Sequence, residues 1–584
     1  MAQLLTEKQK KVLAKIDELT TKNGTKPTLE ELREALGFKY ISALQRHTQA
    51  LKEKGYLSQE ARGASILQSQ PISVFTLRNE QLGILASQPA VYFFRDLLWA
   101  EARRLGIPLN KINISLWTTV PDGGIDASVD IDVSTIPQGS GLIKSGVTGY
   151  QIKSGSSFSP WQDAEIKKEL FGRKHPSKEN LGASIQACLD RGGTYILVCF
   201  GLEFTDEQLR QATDTLIYYF KQCGYANPKV EVWGQGAIIS FTKIFPSLVL
   251  QLQGFEQSHF QTQKSWSQQD DMQQELKLGE LQNTLIAELQ SVLRKNDSSL
   301  HARIWAEPGA GKTRLVLEAV SAPDLCPLVI YCDTPDKFRD SNLMNELVKE
   351  DNHFSIILVV DECNADSRSY IWNKLKNLGS RIKLVTIYNE HDDTSGSIVY
   401  FDAPLLEKEQ VSKIIQSYGI VKDQAERWAE LCSGSSRAFS GSPRVAHMIG
   451  WNLKNNPDDV LKPLDTVNIW DRYVTGGDDA ASTEVQQRKL VLQHIALFKM
   501  FGFGKPVADE AQAIAQLVNE ADTQITFAKF QQIVKKLRER KILQGETTLY
   551  ITPKALHIQL WGSGGIRMVR CLILPSSRQS CPTP

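Results

Sequence analysis

The sequence predicts a multidomain α/β protein: a winged helix-turn-helix, a mixed α/β block, a parallel-sheet block and a second winged helix. Three observations carry that expectation. The chain has 584 residues, several times what one hydrophobic core organises. Apolar residues recur at helical spacing near both ends and at strand spacing in between. A Gln-rich polar stretch, residues 256–275, separates two strand-and-helix regions and reads as a linker.

Composition narrows the function classes. With 41% hydrophobic and 23% charged residues the chain reads as globular. Lys and Arg number 67 against 66 Asp and Glu, so any nucleic-acid-binding surface must be local. Nine cysteines without a CxxC pair fit neither a disulfide framework nor a zinc module, and point to a reducing cytoplasm. No apolar run approaches a membrane span, so no membrane partner is expected.

Residues 1–67 carry three helix patterns and a small hairpin. Thr6 with Gln9, and Thr28 with Glu31, have capping-box spacing. Val12, Leu13, Ile16 and Leu19 line one face, and Leu29, Leu32, Ala35 and Leu36 the next. A third helix runs from about Ser42 to Lys54 and Gly55 ends it. This order makes a winged helix-turn-helix. The stretch from LTEKQKKVLAKIDEL to LKEKGYL resembles the DNA-binding domain of the LexA repressor. That resemblance implies double-stranded DNA as partner and a third helix in the major groove. Ser42, Ala43, Gln45, Arg46 and Gln49 would face base edges, with Lys39, Lys52 and Arg62 near phosphates. A winged helix used for protein contacts stays open. Nothing after residue 80 resembles the LexA protease domain.

In the second block, residues 80–255, GGIDASVDIDV (123–133) alternates apolar residues with Asp126, Ser128, Asp130 and Asp132, which is a strand with one acidic face. In GVTGYQIKSG, Tyr150 and Ile152 oppose Gln151 and Lys153. Pairing the strands sets Asp126 beside Gln151 and Lys153. An acid that holds Mg²⁺, a second oxygen ligand and a lysine suit phosphodiester hydrolysis. The pattern resembles the PD-(D/E)xK restriction-endonuclease fold in its Mrr-like QxK variant. The resemblance implies Asp126, Gln151 and Lys153 as the catalytic set, Asp126 as metal ligand, and Glu101 on the preceding helix as an additional acid. A nuclease-like domain without activity is the alternative.

The third block, residues 276–450, contains RIWAEPGAGKT (303–313): a strand, a glycine loop and a helix. Backbone amides of Glu307, Pro308, Gly309, Ala310 and Gly311 form the expected phosphate cradle, although proline contributes no N–H. Lys312 reaches the β- and γ-phosphates and Thr313 offers its hydroxyl to Mg²⁺. Ala306 stands where the P-loop pattern has its first glycine. FSIILVVDE is a buried parallel strand ending in Asp361, for the Mg²⁺, and Glu362, to orient the attacking water. ATP and Mg²⁺ are the cofactors expected.

A helical lid (Glu407–Cys432) and CSGSSRAFSGSPR follow; Gly441, Pro443 and Arg444 resemble the GxP element of STAND-class NTPases, where it helps hold nucleotide. Residues 485–561 predict a second winged helix, with helices Lys489–Phe501 and Phe527–Arg538 and a hairpin. P-loop core, lid, GxP and winged helix behind an Mrr-like block resemble the Avs-type antiviral STAND proteins of prokaryotes. That resemblance implies exchange of ADP for ATP, a phage or other protein trigger, and a homo-oligomer in the active state. STAND proteins usually continue into a repeat sensor; residues 562–584 lose all periodicity, so an irregular tail or a truncated chain is expected. The alternative for the whole chain is an ATP-controlled LexA-like transcription regulator.

Overall fold

The computed structural model describes residues 11–13, 15, 35–36 and most of 77–561; residues 78, 86, 116–122, 133–140, 156, 254–259, 297, 350–351, 392–397, 434–440, 462–468, 476–480, 546 and 554–555 fall outside it. The chain divides into two compact units, Met1–Ile72 and Ser73–Pro584. In the first, Lys11–Leu13, Lys15, Ala35 and Leu36 are helical and Val12 is buried, each within an expected helix. The DNA-reading residues Lys39, Ser42, Ala43, Gln45, Arg46, Gln49 and Arg62 lie outside the described residues.

In the second unit a short helix, Asn79–Gly83, precedes helix α1 (Ser87–Leu105), whose apolar face of Phe94, Leu97 and Leu98 is fully buried. It packs on a five-stranded sheet in the order β1 (Ile112–Ile114), β2 (Ala127–Ile131), β3 (Gly146–Ser154), β4 (Thr194–Phe200) and β5 (Lys229–Trp233). β1, β2 and β3 run antiparallel, and β3, β4 and β5 parallel. Helices α2 (Asp163–Phe171), α3 (Ala183–Asp190) and α4 (Asp206–Gln222) bury Ile166, Ile185 and Phe220 in a separate cluster with Tyr195 and Leu197. Tyr150, which opposes Gln151 along β3, belongs with α1 instead.

The 256–275 stretch is not a bare linker. It carries β6 (Phe260–Thr262), which pairs antiparallel with β8 (Val329–Cys332). Trp266 is fully buried and stacks on Tyr331 at 4.1 Å. Composition hid this because a few residues, Phe260 and Trp266 among them, do the anchoring while Gln268, Gln269, Gln273 and Gln274 are exposed. The second sheet has the order β11 (Val399–Asp402), β7 (Leu300–Trp305), β10 (Ile382–Tyr388), β9 (Ile356–Val360), β8, β6, all parallel except β6. β9 is buried along its whole length, as a central parallel strand must be. Helices α5 (Glu280–Leu293) and α6 (Lys312–Val320) flank this sheet. Side chains from α1 and the first sheet, with α5, α6 and the second sheet, form one continuous apolar cluster.

The expected lid (Glu407–Cys432) forms α7 (Lys408–Gln416) and α8 (Lys422–Ser433), and α9 (Pro443–Asn455) packs with them around Trp428, so the three helices make one lid block. The last block has α10 (Thr483–Ile495), β12 (Phe501–Gly502), α11 (Asp509–Ala521), α12 (Phe527–Glu539), β13 (Leu543–Gln544) and β14 (Thr548–Ile551). Its sheet order β12–β14–β13 is that of a winged helix. The first helix begins six residues before the expected Lys489, Phe501 falls in a strand, and α11 was not foreseen. Gly502 and Gly504 punctuate the chain there, so the apolar residues beyond Ile495 serve a strand. Among the described residues no helix is long and apolar enough to cross a membrane, and six cysteines are free.

Candidate functional sites

The glycine loop lies between β7 and the start of α6. Gly309 and Gly311 have φ of 89° and 87°, the left-handed region that favours glycine. Ala306 is not among the positive-φ residues, so this position tolerates a Cβ, which accounts for the departure from the P-loop pattern. Lys312 is buried, and its Nζ donates to the carbonyls of Ala306 (2.9 Å) and Glu307 (3.1 Å) and to Asn389 Oδ1 (2.9 Å). Burial pushes its ammonium down to about 8, against the opposing pull of Glu362, Asp361 and Glu307.

β9 delivers the two acids. Asp361 Oδ2 accepts from Thr313 Oγ1 at 2.8 Å and from Tyr331 at 3.1 Å, and Oδ1 accepts from the Glu362 amide at 2.9 Å. Burial raises its carboxyl above the ordinary range. Thr313 and Asp361 thus meet as two hard oxygen donors, a set that fits Mg²⁺. Glu362 takes a left-handed φ of 49°, a conformation that costs a non-glycine residue on the order of 1 kcal/mol or more and concentrates at functional sites. Burial, then the neighbouring Asp361, pushes it up to about 7. β10 runs between β7 and β9 and sets Asn389 against both Lys312 and Glu362 (3.5 Å).

The lid and the last block close this site. Ser442 Oγ donates to the Gly309 carbonyl at 2.9 Å, and a Cβ on Gly311 would stand 3.3 Å from Pro443. Arg444 donates to Thr552 Oγ1 (2.9 Å) and to the Lys541 carbonyl (3.1 Å). From β14, Tyr550 donates to Glu362 Oε1 at 2.6 Å. Asn389, Ser442 and Tyr550 were missed in the sequence. Asn389 directly follows the apolar strand β10, a usable signal, and Ser442 lies between the flagged Gly441 and Pro443; Tyr550 carried none, because only tertiary packing brings it in.

The other cleft, about 580 Å³, is lined by Asp126, Gln151, Lys153 and Glu169 among others. Asp126 reaches β3 as expected: its amide donates to the Tyr150 carbonyl (2.9 Å), and Oδ2 accepts from the Ile152 amide (2.6 Å). The preceding glycines fit tightly, since a Cβ on Gly124 would stand 2.6 Å from Ile185. Gln151 and Lys153 share one face of β3, and both contact Glu169 of α2: Gln151 Nε2 at 2.5 Å and Lys153 Nζ at 2.5 Å from Oε1. Gln151 Oε1 accepts from the buried Tyr195 hydroxyl. Asp126 and Glu169 are a donor set suited to a hard divalent cation. Glu169 lies 18 residues beyond Gln151 on a helix that no motif flagged.

Glu101 is not brought to this cleft. It is buried and bonded to Arg104 on its own helix at 2.7 and 2.8 Å. Val91, which lines the cleft, is ten residues earlier on α1, roughly 15 Å along the axis. Its helix matches the expectation; its register places the carboxylate at the far end.

Residues 2–64 match the family model described as the LexA DNA binding domain. The LexA repressor of Desulfatibacillum aliphaticivorans is 40% identical over 70 residues, 12% of this chain. The chain spans only 34% of that relative's length. Three solved structures are similar over about half of the chain. Cdc6p of Pyrobaculum aerophilum has TM-score 0.27 and 16% identity, covering 50% of this chain and 96% of that one. The Aeropyrum pernix ORC1 protein, solved with DNA, has TM-score 0.29 and 14% identity over 54% and 100%. A STAND protein of Pyrococcus horikoshii with a tetratricopeptide repeat sensor has TM-score 0.26 and 12% identity over 51% and 45%. TM-scores this low fix neither fold nor activity.

Proposed function

We propose that this chain is a STAND-class P-loop ATPase that controls a Mg²⁺-dependent DNA endonuclease, with DNA binding from its N-terminal winged helix and a role in prokaryotic antiviral defence. The observation that carries the ATPase reading is the convergence of Lys312, Thr313, Asp361, Glu362 and Asn389 at the ends of β7, β9 and β10. In this reading the loop amides and Lys312 bind the triphosphate, Thr313 and Asp361 hold the cation, and Glu362 orients the attacking water. Bound Mg²⁺ would supply neutralisation of phosphate charge. The hairpin bearing Tyr550 and the lid bearing Ser442 and Pro443 sense which nucleotide is present, because both touch the loop or its catalytic acid.

Asp126, just before β2, and Lys153 on the neighbouring β3 line one cleft and support the endonuclease reading. The match of residues 2–64 supports DNA as partner. Antiviral defence, an activating trigger and assembly into a homo-oligomer rest on the order of the blocks alone. The test is plasmid cleavage with Mg²⁺, with and without ATP, comparing wild type, Asp126→Ala and Lys312→Ala. Cleavage that needs Asp126 and responds to Lys312 supports the proposal; cleavage indifferent to both sinks it. One observation favours a second reading, an ATP-controlled transcription regulator: Lys153 is ion-paired to Glu169, as in a cleft kept for structure. A footprint at one operator without cleavage would select it.

A further inference from the structure

The D…QxK pattern assigns the second oxygen ligand to Gln151, and the contacts of that side chain argue otherwise. Gln151 is buried, its Oε1 accepts from the fully buried Tyr195 hydroxyl, and its Nε2 donates to Glu169. Both ends of the amide are therefore committed within the protein. Glu169 is the anionic oxygen donor that Gln151 cannot be. It is held in place: Ile166 and Leu170 bury the inner face of α2, and Tyr219 ties the helix start through Asp163 at 2.9 Å. Among the described residues, the charged ones lining the cleft are Asp126, Glu169 and Lys153, two acids against one base. A phosphodiester would meet net negative charge there, and a divalent cation reverses the sign.

We infer that Glu169, rather than Gln151, joins Asp126 in holding a divalent cation at this cleft, and that Lys153 competes with the cation for Glu169. Cation binding draws the carboxylate from Lys153 and frees the ammonium for the substrate phosphate. Gln151 is a positioning residue: held by the Tyr195 hydroxyl, it fixes Glu169 directly. The inference rests on reading the cleft as a phosphodiester site.

The experiment titrates Mn²⁺ into the nucleotide-free full chain and detects free ion by electron paramagnetic resonance. An Asp361→Asn background leaves the cleft as the site followed. Asp126→Ala should abolish the site. Glu169→Gln should weaken it by more than about tenfold, since even outer partners of metal ligands reach that range. Gln151→Ala should weaken it less than Glu169→Gln does. Lys153→Ala should tighten it, because a competing positive charge is gone. Thermal unfolding checks each variant, and if Glu169→Gln unfolds, Glu169→Asp must bind more tightly than Glu169→Asn. The inference is overturned if the parent binds no Mn²⁺ here, if Glu169→Gln binds like the parent, or if Lys153→Ala does not tighten binding. Plasmid cleavage by the same variants without the Asp361→Asn change separates the two readings. Mn²⁺ binding as expected with no cleavage at all would fell the nuclease reading and leave the cation site standing. Cleavage that needs Asp126 and ignores Glu169 would do the reverse.

Discussion

Replacing Tyr550 by Phe tests whether the last block restrains ATP turnover. The hydroxyl donates to Glu362 Oε1 at 2.6 Å, a short bond to an acid, and the phenyl ring of the variant keeps the packing. A hydrogen bond to a charged group contributes about 1.5–3 kcal/mol, and about half that if Glu362 is protonated. At about 1.4 kcal/mol per factor of ten, its loss shifts the equilibrium between docked and undocked hairpin roughly tenfold to a hundredfold. Other docking contacts remain: Arg444 to Thr552 and the Lys541 carbonyl, and Lys541 to Asp271. The Lys541 pair is half-exposed and adds little. If hydrolysis needs Glu362 free to orient water, steady-state phosphate release at saturating ATP should rise by up to the same factor. Arg444→Ala should raise it further in the Tyr550→Phe background. Unchanged or slower release by a Tyr550→Phe protein with wild-type thermal stability would refute the reasoning.

Lys312→Ala should abolish ATP binding in equilibrium dialysis, since the buried ammonium sits at the centre of the loop; retained affinity would remove the site. Glu362 is pushed up to about 7 from 4.5, chiefly by burial, so its folded state prefers the proton. The penalty for ionising it is absent below the unfolded value and complete above the folded one. Wild type should therefore lose stability relative to Glu362→Gln as pH rises from 4.5 to 7, in thermal unfolding at a series of pH values. Trp266→Ala should cost about 3–5 kcal/mol in denaturant unfolding, an outcome no true linker residue gives. Glu101→Ala should also destabilise, by about 1–3 kcal/mol, because it leaves the part-buried Arg104 without its partner, while cleavage per folded molecule stays unchanged.

Much of the proposed nucleotide site was legible because its chemistry is local in sequence. Six positions from Pro308 to Thr313 make the loop, and an apolar run ending in Asp361 and Glu362 can only be a buried strand with acids at its tip. Strand alternation likewise placed Asp126 beside β3, since a period of two fixes the faces. Glu169 and Tyr550 were illegible for one reason: a carboxylate on a short helix or a phenol on a hairpin looks like any surface residue until packing fixes its direction. Glu101 failed in the opposite sense. Being acidic and near the motif suggested catalysis, but helix register turned it toward Arg104. The Gln-rich stretch misled because average composition outweighed Trp266, one side chain with a large buried area.

The shared apolar cluster behind both sheets has a mechanical corollary. Residues 77–403 should melt as a single cooperative body, and severing the chain near residue 256 would bare greasy surface on both halves. Neither half is then a detachable module. Any message from the glycine loop to the Asp126 cleft must pass as a small shift through packed side chains, not as the swing of two beads on a string.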